Sequence, residues 1–139
     1  MTPFVVVDTG ALVAGVVQSD PDHAAVRDVL LGGAFEYVIP AMCVAEAGYL
    51  IERDLGPASE AMFLEGLAGS LVLSPEGADW HLIAELVRQY ADFPLGGTDA
   101  SVVALCERLD TDLIFTLDRR HFHAVRPRHC EFFRLLPEL

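Results

Sequence analysis

With 139 residues, 53% of them hydrophobic, the chain has enough apolar side chain for one domain with its own core, and no Pro/Gly/Ser-rich linker divides it. Its formal net charge is −12 and all nine basic residues are arginine, which excludes chemistry that needs a lysine and argues against a protein that coats nucleic acid with a basic surface. Mean hydropathy is high, +0.38, but no uncharged apolar run reaches bilayer-spanning length, so the excess is expected to feed a dense core and a partner interface.

The opening segment MTPFVVVD lacks the basic region and small-residue cleavage site of a signal peptide, and a cytoplasmic location without membrane attachment is expected. Residues 4–7 form a continuous β-branched and aromatic run, as in a strand buried on both faces of a parallel sheet. A short helix is predicted from Ala11 to Val17, then the polar loop Gln18-Ser19-Asp20-Pro21 and a helix over 22–31 stopped by Gly32-Gly33. A strand at 35–39 leads to Pro40, which suits the first turn of a helix that carries Glu46 and runs to about Asp54. Gly56-Pro57 breaks that helix, and another follows to about Ala68. Leu71–Leu73 reads as a short strand, and Trp80, Ile83, Val87 and Tyr90 mark the inner face of a helix ending near Ala91. The loop Phe93-Pro94-Leu95-Gly96-Gly97 delivers Thr98 as the expected N-cap of the next helix. Leu113–Leu117 is a buried strand, and Phe132–Leu136 a last edge strand.

This alternation implies a three-layer α/β/α sandwich around a mostly parallel sheet of four or five strands. Ligands in such folds bind beyond the carboxyl ends of the strands, where the strand order reverses. Asp8 and Asp118 both stand at that end of their strands and would face each other if those strands are neighbours. Asp99 is followed at i+3, i+4 and i+7 by Val102, Val103 and Cys106, which places it on an apolar helix face. Glu46 is the only charged residue between Ala41 and Ile51, with Met42, Cys43, Tyr49 and Leu50 at helical spacings, and is likewise expected to point inward. Any one of these acids alone reads as a helix cap or turn residue. Together they indicate a shared cation site, because bringing carboxylates together away from water is costly unless a cation neutralises them.

Two other folds place aspartates at strand ends around Mg²⁺, the response-regulator receiver and the haloacid-dehalogenase-type phosphatase. Both use a lysine, and the phosphatase needs Asp-x-Asp where this chain has Asp8-Thr9-Gly10. Instead, Asp8-Thr9-Gly10-Ala11-Leu12 after a hydrophobic strand, Glu46 in the third helix, Thr98-Asp99-Ala100-Ser101 opening a helix and Thr116-Leu117-Asp118-Arg119-Arg120-His121-Phe122 near the end resemble the PIN-domain nucleases. The resemblance spans essentially the whole chain, and within that family the chain is most similar to VapC-type toxins of toxin–antitoxin pairs.

What the resemblance implies is an endoribonuclease dependent on Mg²⁺ or Mn²⁺, with Asp8, Glu46, Asp99 and Asp118 as metal-binding and catalytic residues. It also implies a cognate antitoxin wrapped over an apolar groove that Met62, Phe63 and Leu67 would suit. tRNA and rRNA are the RNA classes to test. Thr116, Thr98 and Thr9 are candidate auxiliary hydroxyls; many similar proteins carry a small hydroxyl residue where this chain has Gly10. Arg119 and Arg120 directly follow a site carboxylate and are the candidate phosphate contacts. A homodimer is expected to help this acidic chain meet RNA, by forming a groove lined with C-terminal arginines.

The remaining polar residues have ordinary readings. Asp110 and Asp112 bracket a turn, His121 and His123 separate in a helical turn, Trp80 matches core spacing, and Cys43, Cys106 and Cys130 read as buried thiols. Two other functions fit the same residues: a PIN-type RNase of RNA maturation or decay without an antitoxin, and an inert interaction module that keeps the fold.

Overall fold

The computed structural model describes residues 2–138. In chain order its elements are β1 (Phe4–Val7), α1 (Thr9–Val16), α2 (His23–Leu31), β2 (Glu36–Pro40), α3 (Ala41–Leu55), α4 (Pro57–Gly66), β3 (Leu71–Leu73), α5 (Gly77–Gln89), α6 (Gly97–Leu109), β4 (Leu113–Phe115), α7 (Arg119–Ala124) and β5 (Arg134–Leu136). The five strands lie in the order β3-β2-β1-β4-β5, and every pairing is parallel. The expected sandwich is therefore present with five strands, and β5 is an edge strand as its position in the sequence implied.

Alternation along each strand divides the core between the two faces of the sheet. Val6, Val38 and Ile114 pack against Leu82, Ile83 and Leu86 of α5, Ala100–Cys106 of α6 and Phe122 of α7. Val5, Val7, Ile39 and Phe115 pack on the other face against Ala11 and Ala14 of α1 and Val26 of α2. The side chains of Val5, Val6, Ile114 and Phe115 are fully enclosed, each contributing about 1.5–3 kcal/mol relative to exposure. A third, smaller cluster joins Ala47 and Ile51 of α3 to Phe63 of α4. Gly48 makes that junction close: a Cβ there would stand 3.2 Å from Glu60 Oε2. Gly56 supplies the φ of +90° that turns α3 into α4, and Pro57 then starts α4 without losing a needed N–H.

Three local expectations are corrected. Pro40 closes β2 and serves as N-cap of α3 in extended conformation, because its fixed φ suits either side of that boundary. Thr98 is not the N-cap of α6; the helix starts at Gly97, Gly96 is the cap, and no side chain caps it. Trp80 and Val87 are not on the inner face of α5 but 52% and 38% exposed. The buried stripe is Leu82, Ile83 and Leu86, since α5 turns that stripe toward the sheet and α6. Among the described residues, no helix is long and apolar enough to cross a membrane.

Candidate catalytic site

Sheet register places the first carboxylate. β1 and β4 are parallel neighbours with Val7 opposite Phe115, so the next residues on each strand, Asp8 and Thr116, emerge side by side at the carboxyl edge, where the strand order reverses. The Asp8 amide donates to the carbonyl of Phe115 at 2.9 Å. Thr116, completely buried, donates its hydroxyl to Asp8 Oδ2 at 2.8 Å and accepts the Asp118 amide at 3.0 Å. One hydroxyl thus orients a carboxylate and the backbone that carries another. Asp8 and Asp118 occupy the N-cap positions of α1 and α7, yet neither side chain caps its helix. The ordinary explanation for a strand-end aspartate does not account for them.

Two helices bring the other acids to the same place. Asp99 sits in the first turn of α6, whose following residues Ala100–Cys106 are all buried and lock the helix onto the sheet. Glu46 projects from α3. The buried stripe of α3 is Cys43, Ala47, Gly48 and Ile51, while Tyr49 is 61% exposed. Glu46 is therefore exposed beside that stripe and faces a cavity, not the core as its spacing suggested. Asp8, Thr9, Gly10, Glu46, Asp99, Asp118 and His121 all line this open cavity of about 580 Å³, together with Asp20.

Electrostatics mark the cavity as strained. The Asp8 carboxyl is pushed up chiefly by burial and further by Asp118 and Glu46, against the opposing hydrogen bonds from Thr116 and the Thr9 backbone. Asp99 is pushed up to about 6, first by burial and then by Asp8, with His121 pulling the other way. Burial with the nearby site acids also raises the Cys43 thiol and keeps it protonated. Asp8 Oδ1 and the Thr9 hydroxyl are buried without a hydrogen-bond partner, and an ionised oxygen left so would be expensive. Among the described residues, no three His, Cys, Asp or Glu side chains converge closely enough to enclose a metal ion by themselves. The donor set is all-oxygen, partly orphaned and widely spaced. It fits a hard divalent cation such as Mg²⁺, which binds through one or two carboxylates and keeps several waters.

His121 belongs to the site although its sequence context gave it no such role. Its Nδ1 faces the Asp118 carboxylate at ion-pair range, without hydrogen-bond geometry, and lies 3.6 Å from Asp99 Oδ2. The signal was the i, i+3 spacing from Asp118 on a helical turn; His123 points elsewhere and is exposed. Asp20 was likewise passed over as a loop residue, and its Oδ1 accepts the Asp22 amide. Thr98 does not line the cavity, and its carbonyl accepts the Ser101 hydroxyl at 2.6 Å. Arg119 and Arg120 also lie outside the lining. Arg119 Nη1 donates to the carbonyl of Pro137 at 2.8 Å. The C-terminal arginines do not form one open basic patch: Arg128 is paired with Glu107 and Arg134 with Asp112.

A short apolar helix thus separates this acidic cavity from a groove of opposite character. Residues Ala11, Leu12, Gly15 and Val16 of α1 line that groove with Val26 and Leu30 of α2 and Met62, Phe63, Gly66 and Leu67 around α4.

Comparison with known proteins agrees with this architecture. Residues 5–126 match the PIN domain family. The chain is 37% identical over 134 residues to ribonuclease VapC26 of Mycobacterium tuberculosis, covering 95% of this chain and 99% of that protein. Its fold is similar to the crystal structure of M. tuberculosis VapC20, a sarcin–ricin loop cleaving toxin, with a TM-score of 0.76 at 14% identity over 84% of this chain and 91% of that one. It is also similar to a chain of DNA-bound VapBC from Salmonella typhimurium, with a TM-score of 0.67 at 20% identity over 97% of each chain. The chain belongs to the PIN domain family, and within it its sequence is similar to that of a VapC ribonuclease.

Proposed function

We propose that this chain, read as a single PIN domain, is a divalent-metal-dependent endoribonuclease and the toxin of a toxin–antitoxin pair. The observation that carries this reading is the convergence of Asp8, Glu46, Asp99 and Asp118, from four separate elements, on one open cavity whose deepest carboxylate has an orphaned oxygen. A relative 37% identical over 95% of the chain bears the name ribonuclease, and PIN folds of similar architecture occur in a toxin and in a VapBC complex.

Asp8 and Asp99 are the assigned principal ligands of Mg²⁺ or Mn²⁺, with Glu46 and Asp118 completing the shell directly or through water. When bound, the cation supplies Lewis-acid stabilisation of the phosphodiester oxygens and an acidified water at neutral pH. The chain's own groups do the positioning. Thr116 fixes the rotamer of Asp8, His121 stands against both Asp99 and Asp118, and the Thr9 hydroxyl offers a donor without a competing partner. Glu46, exposed on the cavity wall, is the assigned acceptor of the proton that leaves the attacking water.

An antitoxin is the proposed occupant of the apolar groove beside α1, which has a volume of about 390 Å³. At its rim Met62 is 72% and Leu30 40% exposed, apolar side chains that a partner's apolar segment would cover. A homodimer remains part of the proposal, with Trp80 and Val87 on α5 as an available apolar face; the arginine-lined groove is left with fewer open cations than the sequence implied.

The test is cleavage of a panel of tRNA and rRNA by the purified, partner-free chain in Mg²⁺ or Mn²⁺. Discrete cleavage that EDTA and Asp99→Asn both abolish is expected. Cleavage that survives either control would overturn the assignment.

A further inference from the structure

We propose that Arg120, seated on the ring of Phe93, is the anchor for a substrate phosphate beside the acidic cavity, and that Phe93 is the positioning residue that holds it there. The inference rests on the ribonuclease reading and adds to it the group that receives the RNA. An acidic chain of net charge −12 needs a cation near its carboxylates that is not already spent on them. The arginines at the end of the chain are mostly spent. Arg119 is bonded to the Pro137 carbonyl, Arg128 forks onto Glu107 and Arg134 onto Asp112.

Arg120 is different. Like Arg126 it is exposed and, among the described residues, forms no ion pair, but Arg120 also lies over an aromatic ring and directly precedes His121, which lies against Asp99 and Asp118. Its guanidinium carbon stands 5.9 Å from the centroid of the Phe93 ring. The same ring meets the His121 imidazole edge-on, with centroids 5.3 Å apart and planes at 79°. Phe93, half-buried in the loop between α5 and α6, is therefore a shared support. One contact steadies the histidine that faces the two carboxylates, and the other holds a guanidinium one residue further out. A cation–π contact leaves the N–H groups of arginine unspent, and those are the groups that grip a phosphate in a fork.

The experiment is binding of a fluorescein-labelled single-stranded RNA, read by anisotropy in Ca²⁺ across a salt series, for the full chain and the variants Arg120→Ala, Arg120→Lys, Phe93→Ala, Phe93→Tyr and Phe93→Ala/Arg120→Ala. Arg120→Ala is expected to weaken binding roughly tenfold and to lower the salt slope by about 0.7, the value for one phosphate contact on a single strand. Phe93→Ala should lose part of that affinity, Phe93→Tyr should retain it, and Arg120→Lys should restore the salt slope more than the affinity. The double variant should show the salt slope of Arg120→Ala alone, because the ring reaches the phosphate through the arginine, whatever affinity it contributes through His121. Unchanged affinity and slope in Arg120→Ala, or a salt slope in the double variant lower than that of Arg120→Ala, would overturn the proposal while leaving the ribonuclease reading standing. If the unaltered chain binds no RNA, the ribonuclease reading falls and takes this one with it.

Discussion

The two faces of α1 carry opposite chemistry over a single helix. Thr9, Gly10 and Val13 face a cavity lined by five acids, Asp8, Asp20, Glu46, Asp99 and Asp118. Ala11, Leu12, Gly15 and Val16 face a groove of almost wholly apolar side chains. Both are poorly satisfied in the isolated chain, one through repelling carboxylates and the other through apolar surface left in water. Charge that burial and neighbours oppose calls for a cation, and apolar surface calls for another chain; function is concentrated where the folded chain alone leaves interactions unmade.

The sharpest way to break this contrast is to remove one charge from the acidic side. Asp99→Asn keeps the shape of the side chain and is expected to lower RNA cleavage by at least about 10³-fold, roughly 4 kcal/mol of transition-state stabilisation, in single-turnover kinetics. The apolar side responds in stability instead. Phe63, 5% exposed beneath the groove, should cost about 3–5 kcal/mol when cut to alanine, measured by urea denaturation. A smaller loss is expected from Thr116→Val, which deletes the hydroxyl between Asp8 and the Asp118 amide. That should cost about 1–3 kcal/mol and weaken Mn²⁺ binding about 10–100-fold.

A pH series sharpens the same comparison. The Asp99 carboxyl lies at about 6 in the fold against an ordinary 3.8, so its contribution to the stability of the metal-free chain is complete below the ordinary value and is lost as pH rises through about 6. Cation binding needs the ionised form and gains over the same window. Melting temperature should therefore fall with pH in EDTA over that range more steeply than in Mn²⁺, and Asp99→Asn should remove the difference. Parallel curves would mean that Asp99 takes no part in binding. The least effect is expected on the groove rim: Met62, 72% exposed, should tolerate glutamate within about 0.5 kcal/mol and with RNA cleavage unchanged.

The fold was legible in the sequence wherever one local pattern had one packing solution. Short apolar runs became the central strands β1 and β4, and their adjacency, which the sequence left as a condition, brought Asp8 and Asp118 to one cavity. Gly56-Pro57 ended α3 where it stands in the sequence. What failed depended on contacts between distant segments. The face of α5 was set by α6 and the sheet, leaving Trp80 outside. Arg128 and Arg134 found Glu107 and Asp112, more than twenty residues away along the chain. His121 lacked an obvious role until α7 turned it back toward Asp118 and α6 delivered Asp99. Short-range spacing could have flagged the first of those contacts but not the second.

Whether these carboxylates hold a divalent cation is decided by calorimetric titration of Mn²⁺ into the partner-free chain near pH 6, beside Asp99→Asn. Saturable binding to the unaltered chain with release of protons is expected, since the Asp99 carboxyl is pushed up to about 6, and loss of both signals in the variant. Equal binding by the two proteins, or none by either, would contradict it.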